Sequence, residues 1–218
     1  MEKIIREALR YLGIREPDAE TRRAVETAAG QIMAQTPPRF VYRVFPVEQA
    51  ARETILTGAG ITLAGTLAAD MLRDCGQAAL LLCTLGAGFE RMLRACQARD
   101  MARAVILDAC GSAIVESGCD AAEREIADRF PGLYLSDRFS PGYGDLPLAL
   151  QMDILRALDG ERRLGVTVTD ACLLNPMKTV TAVIGLAERP QPAKIRGCAY
   201  CVLRETCAYR KRGNVCGK

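Results

Sequence analysis

Residues 134–147 read YLSDRFSPGYGDLP, and the chemistry packed into this stretch decides how the rest of the chain is read. Arg138 leaves what reads as a strand; three residues on, Pro141 and Gly142 stand side by side, with Tyr143 directly after them. Proline fixes φ and glycine tolerates positive φ, so the pair predicts a type II turn that bares backbone N–H and C=O groups. An arginine beside that turn can fork onto a carboxylate. A tyrosine ring next to a peptide edge suits a nucleobase. The spacing Arg-x-x-x-Gly-Tyr therefore reads as a pocket for a small ligand carrying both a carboxylate and a purine. The plainer alternative is a strand, a turn and the start of a helix.

Downstream, Pro147 is expected to open a helix carrying Leu148, Met152, Leu155 and Leu158, with Asp145 near its positive end. LGVTVTD (164–170) and KTVTAVIGL (178–186) alternate as strands do and are joined through Asn175 and Pro176. Upstream, residues 88–129 read as helix in two or three pieces, with Gly118 breaking the run. Asp108, Ser112 and Glu116 fall at i, i+4 and i+8 there and share a stripe, whose plain reading is a solvated face. Further back, GAGITLAG (58–65) and QAALLLCTLG (77–86) are short apolar strands around a helical stretch from Thr66 to Cys75. FVYRVFPV (40–47) is a strand after the stop at Pro37 and Pro38, and helices over 3–12 and 18–35 open the chain. The order of elements predicts an α+β fold: a twisted antiparallel or mixed sheet with surrounding helices over residues 1–188, and a short Cys-rich metal-binding tail over 189–218. RPQPAK (189–194) reads as the linker between them.

Half of the 218 residues are hydrophobic, enough to bury a proper core. The net charge of +3 is scattered and aromatics make up only 5%, so there is no basic block or stacking platform for nucleic acid. No apolar run is long enough to span a bilayer and the N-terminus is amphipathic, which predicts a cytoplasmic protein. Ten cysteines in such a chain are not expected to form a disulfide framework. Cys75, Cys83, Cys96, Cys110, Cys119 and Cys172 stand singly within predicted elements and read as buried free thiols.

The other four cysteines are clustered. Cys198, Cys201, Cys207 and Cys216 are spaced C-x(2)-C-x(5)-C-x(8)-C, close enough for four thiolates to close round one metal site. The chain has no histidine, so the donor set is all sulfur, which selects an iron–sulfur cluster or zinc. A single Cys-x-x-Cys followed by wider spacings favours a 4Fe-4S cluster, zinc is the alternative, and reduced thiols without metal are the plain reading. Lys194, Arg196, Arg204, Arg210, Lys211 and Arg212 surround the cysteines and would offset their negative charge.

From Arg138 to Gly185 the chain resembles the activation domain of cobalamin-dependent methionine synthase. The likeness is carried by RFSPGY (138–143), by Leu155 and Leu158 of the following helix, by LGVTVTDACLLNPMKTVTAVIG (164–185), and more loosely by the helical segment upstream. In that family the domain binds S-adenosylmethionine, docks on the cobalamin module once its cobalt has lapsed to cob(II)alamin, and supplies the methyl group for reductive remethylation. The resemblance implies that Arg138 holds the methionyl carboxylate and that the backbone around Ser140 and Gly142, with Tyr143, receives the adenosyl part. It also implies an acidic contact from the long helix, for which Glu116 is the candidate and Ser112 the alternative one turn earlier. The family's N-terminal acidic contact has no match in residues 1–60, and the cysteine tail replaces its C-terminal segment.

With 218 residues there is no room for cobalamin, folate or homocysteine modules, so the chain is expected to act as a free-standing activation component. Its implied partner is a cobalamin-binding methionine synthase or related corrinoid protein in methionine biosynthesis. A tail cluster would be an electron source, and a flavodoxin or ferredoxin is a candidate donor. The rival readings are a zinc-stapled interaction protein and an Fe-S redox carrier that binds no S-adenosylmethionine.

Overall fold

The computed structural model describes residues 1–50, 53–192, 195, 205–207 and 210–213. The elements run, in chain order, α1 (Glu2–Tyr11), α2 (Ala19–Gln35), β1 (Arg39–Ala50), β2 (Glu53–Leu56), β3 (Ile61–Ala64), α3 (Thr66–Leu72), β4 (Cys75–Thr84), α4 (Gly86–Gln97) and α5 (Met101–Arg129). They continue with β5 (Tyr134–Leu135), α6 (Leu150–Leu158), α7 (Gly160–Leu164), β6 (Thr167–Val168), β7 (Leu174–Asn175) and β8 (Thr179–Ala187), and a 3-10 turn follows at Arg210–Arg212. Six strands form one sheet in the order β3-β2-β1-β4-β8-β5, and β6 and β7 make a separate two-stranded ribbon. The β1–β2, β2–β3 and β5–β8 pairings are antiparallel. This is the expected α+β class, a sheet with surrounding helices.

The chain divides into two compact units: residues 1–43, 81–126 and 148–181 form the first, and 44–80, 127–147 and 182–218 the second. The first is mainly helical. Its interior draws Val25, Ala28, Ala29 and Ile32 from α2, Leu107, Cys110 and Ile114 from α5, Phe89 from α4, and Ile154 and Leu158 from α6, all buried. α2 begins where the Asp18 carboxylate accepts the Thr21 N–H at 2.6 Å, a side-chain cap at the helix start. The Asp100 carboxylate likewise accepts the Arg103 N–H at 3.0 Å at the start of α5. Inside, the Thr181 hydroxyl donates to Gln151 Oε1 at 2.7 Å, so two buried polar side chains satisfy one another.

Gly118 does not break the long helix. α5 runs unbroken through it, because glycine is needed there for close approach: an added Cβ would lie 2.6 Å from Pro38 Cβ and 2.7 Å from Cys83 Sγ. Helix propensity argues against a mid-helix glycine, and packing overrides it.

The second unit holds the β2–β3 hairpin, α3, β5 and the turn region around Pro141. Its interior includes Leu56, Leu63, Met71, Leu72, Leu80, Phe139, Val183 and Ile184. β2 (ETIL) is a strand that the sequence pattern does not predict, since four residues are too few to establish a period. The strand expected over 164–170 shrinks to Thr167–Val168 and pairs with Leu174–Asn175 instead of joining the sheet. The helix expected from Pro147 begins at Leu150. All six isolated cysteines are free thiols, with Cys75, Cys83, Cys110 and Cys119 buried and Cys96 and Cys172 half-buried. Burial alone pushes the Cys110 thiol up to about 11, which keeps it protonated and inert.

Candidate functional site

β5 pairs with β8 through Tyr134–Ala187 and Leu135–Leu186, and the ladder continues as Ser136 N–H donates to Gly185 O at 2.9 Å. It resumes where Phe139 and Val183 exchange bonds of 3.0 and 2.7 Å. Between these points the β5 side has two residues, Asp137 and Arg138, opposite Ile184 alone. Arg138 thus sits in a β-bulge, a device that re-aims side chains and commonly lies beside functional sites. An unbroken pleat would send Ser136 and Phe139 to opposite faces. The extra residue lets both bury, at 7% and 0% exposure, and leaves Asp137 and Arg138 half-buried. The Ser136 hydroxyl donates to Asp137 O and accepts the Gly185 N–H, fastening the start of the bulge. The Asp137 carboxylate accepts the Ile195 N–H at 3.2 Å.

The turn after the bulge has the expected form. Gly142 has φ +92°, and Tyr143 N–H donates to Ser140 O at 3.0 Å, the bond of a type II turn with proline then glycine at its centre. Its backbone is less bare than expected. Gly142 N–H donates to Leu146 O at 2.8 Å and Leu146 N–H to Tyr143 O at 2.9 Å, so the loop closes on itself and three amides are committed internally. What the turn offers outward is side chain: Tyr143 is 53% exposed and Ser140 half-buried, while Pro141 and Leu146 are buried beneath them. Arg138, Ser140, Gly142 and Tyr143 therefore lie together on one short segment of the second unit.

Asp145 does not serve the helix that follows it. Its carboxylate accepts Thr66 N–H at 2.6 Å, Thr66 Oγ1–H at 2.8 Å and Leu67 N–H at 3.0 Å, and so caps α3 from 79 residues away. Those amide bonds, Leu67 first, hold its carboxyl down to about 2. Gly65, at φ +106°, makes this approach possible, because a Cβ there would meet the Asp145 carboxylate at 2.7 Å.

Glu116 lies on α5 in the first unit and is half-buried. Its charge helps raise the Tyr11 hydroxyl above the ordinary range, after burial of that ring. The stripe on α5 is not simply solvated: Lys178 Nζ, largely buried, bonds to Ser112 Oγ at 2.8 Å and to Asp108 at 3.0 Å. That occupies the Ser112 hydroxyl, the alternative to Glu116. No pattern in the sequence paired Lys178 with α5, since the two are 66 residues apart at Ser112.

Of the four tail cysteines, Cys198, Cys201 and Cys216 lie outside the described residues. Cys207 is a half-buried free thiol whose Sγ accepts the Arg210 N–H at 3.4 Å, ahead of the 3-10 turn. Among the described residues no group of three potential ligands gathers for a metal. The first unit has a cavity of about 500 Å³ lined by Met152, Leu155, Arg156, Glu161, Val166 and Val168 among others, and it includes none of the expected site residues. No helix among the described residues is long and apolar enough to cross a membrane.

These elements define an α+β fold in which a bulged edge strand and a Pro-Gly turn follow one long helix. One solved structure with this fold is the MetH reactivation domain bound to AdoHcy, which superposes with a TM-score of 0.64 over 96% of this chain and 83% of that one, at 12% identity. The likeness in fold expected from RFSPGY is present across nearly the whole chain. No protein-family model matches the sequence, and no curated protein does.

Proposed function

We propose that this chain binds S-adenosylmethionine at the Arg138–Tyr143 segment and delivers its methyl group to the cobalamin of a separate corrinoid protein. The observation that carries the reading is Arg138 held in a bulge immediately before a type II turn that projects Tyr143, in a fold shared with a reactivation domain whose solved structure contains AdoHcy. In this reading the Arg138 guanidinium forks onto the ligand's carboxylate. The Tyr143 ring packs on the adenine, and the Ser140 hydroxyl and the Gly142 carbonyl serve the sugar and base edges. The Glu116 carboxylate is proposed as a further ligand contact, to be judged by titration of Glu116→Gln. Because the turn's own amides bond one another, side chains carry more of the recognition than the sequence suggests.

The chemistry asked of the protein is placement. The partner's cobalamin, reduced by one electron from a flavodoxin, ferredoxin or tail cluster, would serve as the methyl acceptor; this chain would hold the sulfonium methyl towards it and keep AdoHcy as the product, the ligand bound in the solved structure of the same fold. No proton moves, so a site without histidine suffices. The partner is proposed to be a cobalamin-binding methionine synthase or related corrinoid protein, which makes this chain its activation component.

The tail is proposed to hold a 4Fe-4S cluster through Cys198, Cys201, Cys207 and Cys216, with zinc as the alternative. The N–H donated by Arg210 to Cys207 Sγ suits a thiolate ligand, and an all-sulfur donor set fits either metal. A cluster would supply one-electron transfer, with a flavodoxin or ferredoxin as its upstream donor.

Calorimetric titration with S-adenosylmethionine tests the reading. Wild type should bind, and Arg138→Ala should weaken binding about tenfold or more through loss of a charge-assisted pair. Equal affinity in the two would remove Arg138 from the site. Anaerobic purification decides the tail: a brown protein that bleaches on oxidation carries iron and sulfur, whereas a colourless one with bound metal carries zinc.

A further inference from the structure

We infer that Asp145 is a positioning residue for the ligand site, holding Tyr143 in place by clamping its loop to the start of α3. This rests on the reading of the Arg138–Tyr143 segment as that site. The loop from Ser140 to Leu146 is fixed at one end by the Pro-Gly turn, through the Tyr143–Ser140 bond of 3.0 Å. At the other end, two consecutive residues meet α3. Gly144 packs so closely on Leu67 that an added Cβ would lie 3.3 Å from Leu67 Cδ2, and Asp145 takes three hydrogen bonds from Thr66 and Leu67. Tyr143, half-exposed, stands between the two anchors.

The clamp is specific in both partners. α3 has glycine at its N-cap and no side-chain cap of its own, so its first amides depend on a carboxylate brought from elsewhere. Gly65 leaves the room that a carboxylate needs there and that any Cβ would fill. The Asp145 oxygens are thus engaged by α3, and the consequence for a ligand is indirect: an aromatic platform held ready before binding. Without the clamp the Pro-Gly turn and the Leu146 bonds to Gly142 and Tyr143 persist, but the Gly144–Asp145 corner loses its hold on α3, and the added motion this gives Tyr143 must be removed on binding.

The test uses the full-length protein and exploits the absence of tryptophan: Tyr143→Trp creates a single indole that reports on its own mobility. In that background, Asp145→Asn should lower the steady-state fluorescence anisotropy of residue 143, and Thr66→Ala, which deletes only the hydroxyl bond, should lower it less. In the otherwise native protein, Asp145→Asn should weaken S-adenosylmethionine binding about threefold to tenfold, as expected when one side chain must be re-ordered on binding. Asp145→Glu should recover part of both effects. A purely structural role would lower thermal stability and leave anisotropy and affinity at wild-type values, which overturns the inference. Should Asp145→Asn fail to fold, Thr66→Ala decides alone, with unchanged anisotropy counting against the clamp. If wild type binds no S-adenosylmethionine, the parent reading fails on that measurement, and the anisotropy series still decides whether Asp145 positions residue 143.

Discussion

The same substitution, glycine to alanine in the middle of a helix, should have opposite signs at Gly30 and Gly118. In both helices alanine is favoured over glycine by about 1 kcal/mol from backbone entropy. At Gly30, on the exposed face of α2, a new Cβ meets nothing within 4 Å, so that gain is kept whole. At Gly118 the methyl arrives 2.6 Å from Pro38 Cβ and 2.7 Å from Cys83 Sγ. Ordinary contact is about 3.5–4.0 Å, so both neighbours must withdraw by about 1 Å. Neither yields easily: Pro38 is a ring directly after a second proline, and the fully buried Cys83 thiol donates to Val115 O at 3.6 Å. Overpacking costs about 1–3 kcal/mol and should fall in the upper part of that range here, for a net loss of about 1–2 kcal/mol. Urea denaturation of the three proteins should give midpoints in the order Gly30→Ala, wild type, Gly118→Ala, with a common slope. A Gly118→Ala protein as stable as wild type would refute the reasoning, and with it the claim that close packing placed a glycine there.

Further outcomes are expected. Thr181→Val leaves the Gln151 amide oxygen without its donor in a buried setting and should lower stability by about 1–3 kcal/mol, read from the same urea curves. The Asp145 carboxyl is depressed from an ordinary 3.8 to about 2, so its contribution to stability is complete above 3.8 and lost as pH falls towards 2. Asp145→Asn should flatten that limb of the stability–pH profile and leave its shape above pH 5 unchanged. Iodoacetamide on the native protein, mapped by mass spectrometry, should modify Cys96 and Cys172 and spare Cys75, Cys83, Cys110 and Cys119. Labelling of Cys110 at rates near those of Cys172 would contradict its burial.

What the sequence made legible follows the strength of local periodicity. α1, α2, β1 and β8 were readable because their apolar positions recur at helix or strand spacing over nine residues or more. The boundary between α4 and α5 was half-readable, since Asp100 is a capping residue, but no glycine or proline marks the break. β2 and β7 were lost because two or four residues cannot establish a period. At Gly118 a local rule met a non-local contact and lost. The site shows the same division. The Pro-Gly turn is local chemistry and is legible in the sequence, whereas the bulge at Arg138 is a mismatch of register between two strands and leaves no trace in either alone. The capture of Asp145 by α3 and of Ser112 by Lys178 spans 79 and 66 residues, beyond any pattern that a sequence window holds.

The position of β5 at the end of the sheet also sets a timetable for biosynthesis. Its neighbour in the sheet is β8, so the segment carrying Arg138 must wait until residue 187 has been synthesised before it can dock. Pairing across that separation closes a large loop late, and late closure of this kind tends to limit folding rate. A nascent chain stalled short of β8 should therefore contain α1, α2 and the α4–α5 helices while the strand carrying Arg138 has no partner and the turn after it is tethered by the bonds that Asp145 accepts from Thr66 and Leu67, a state exposed to chaperones and proteases.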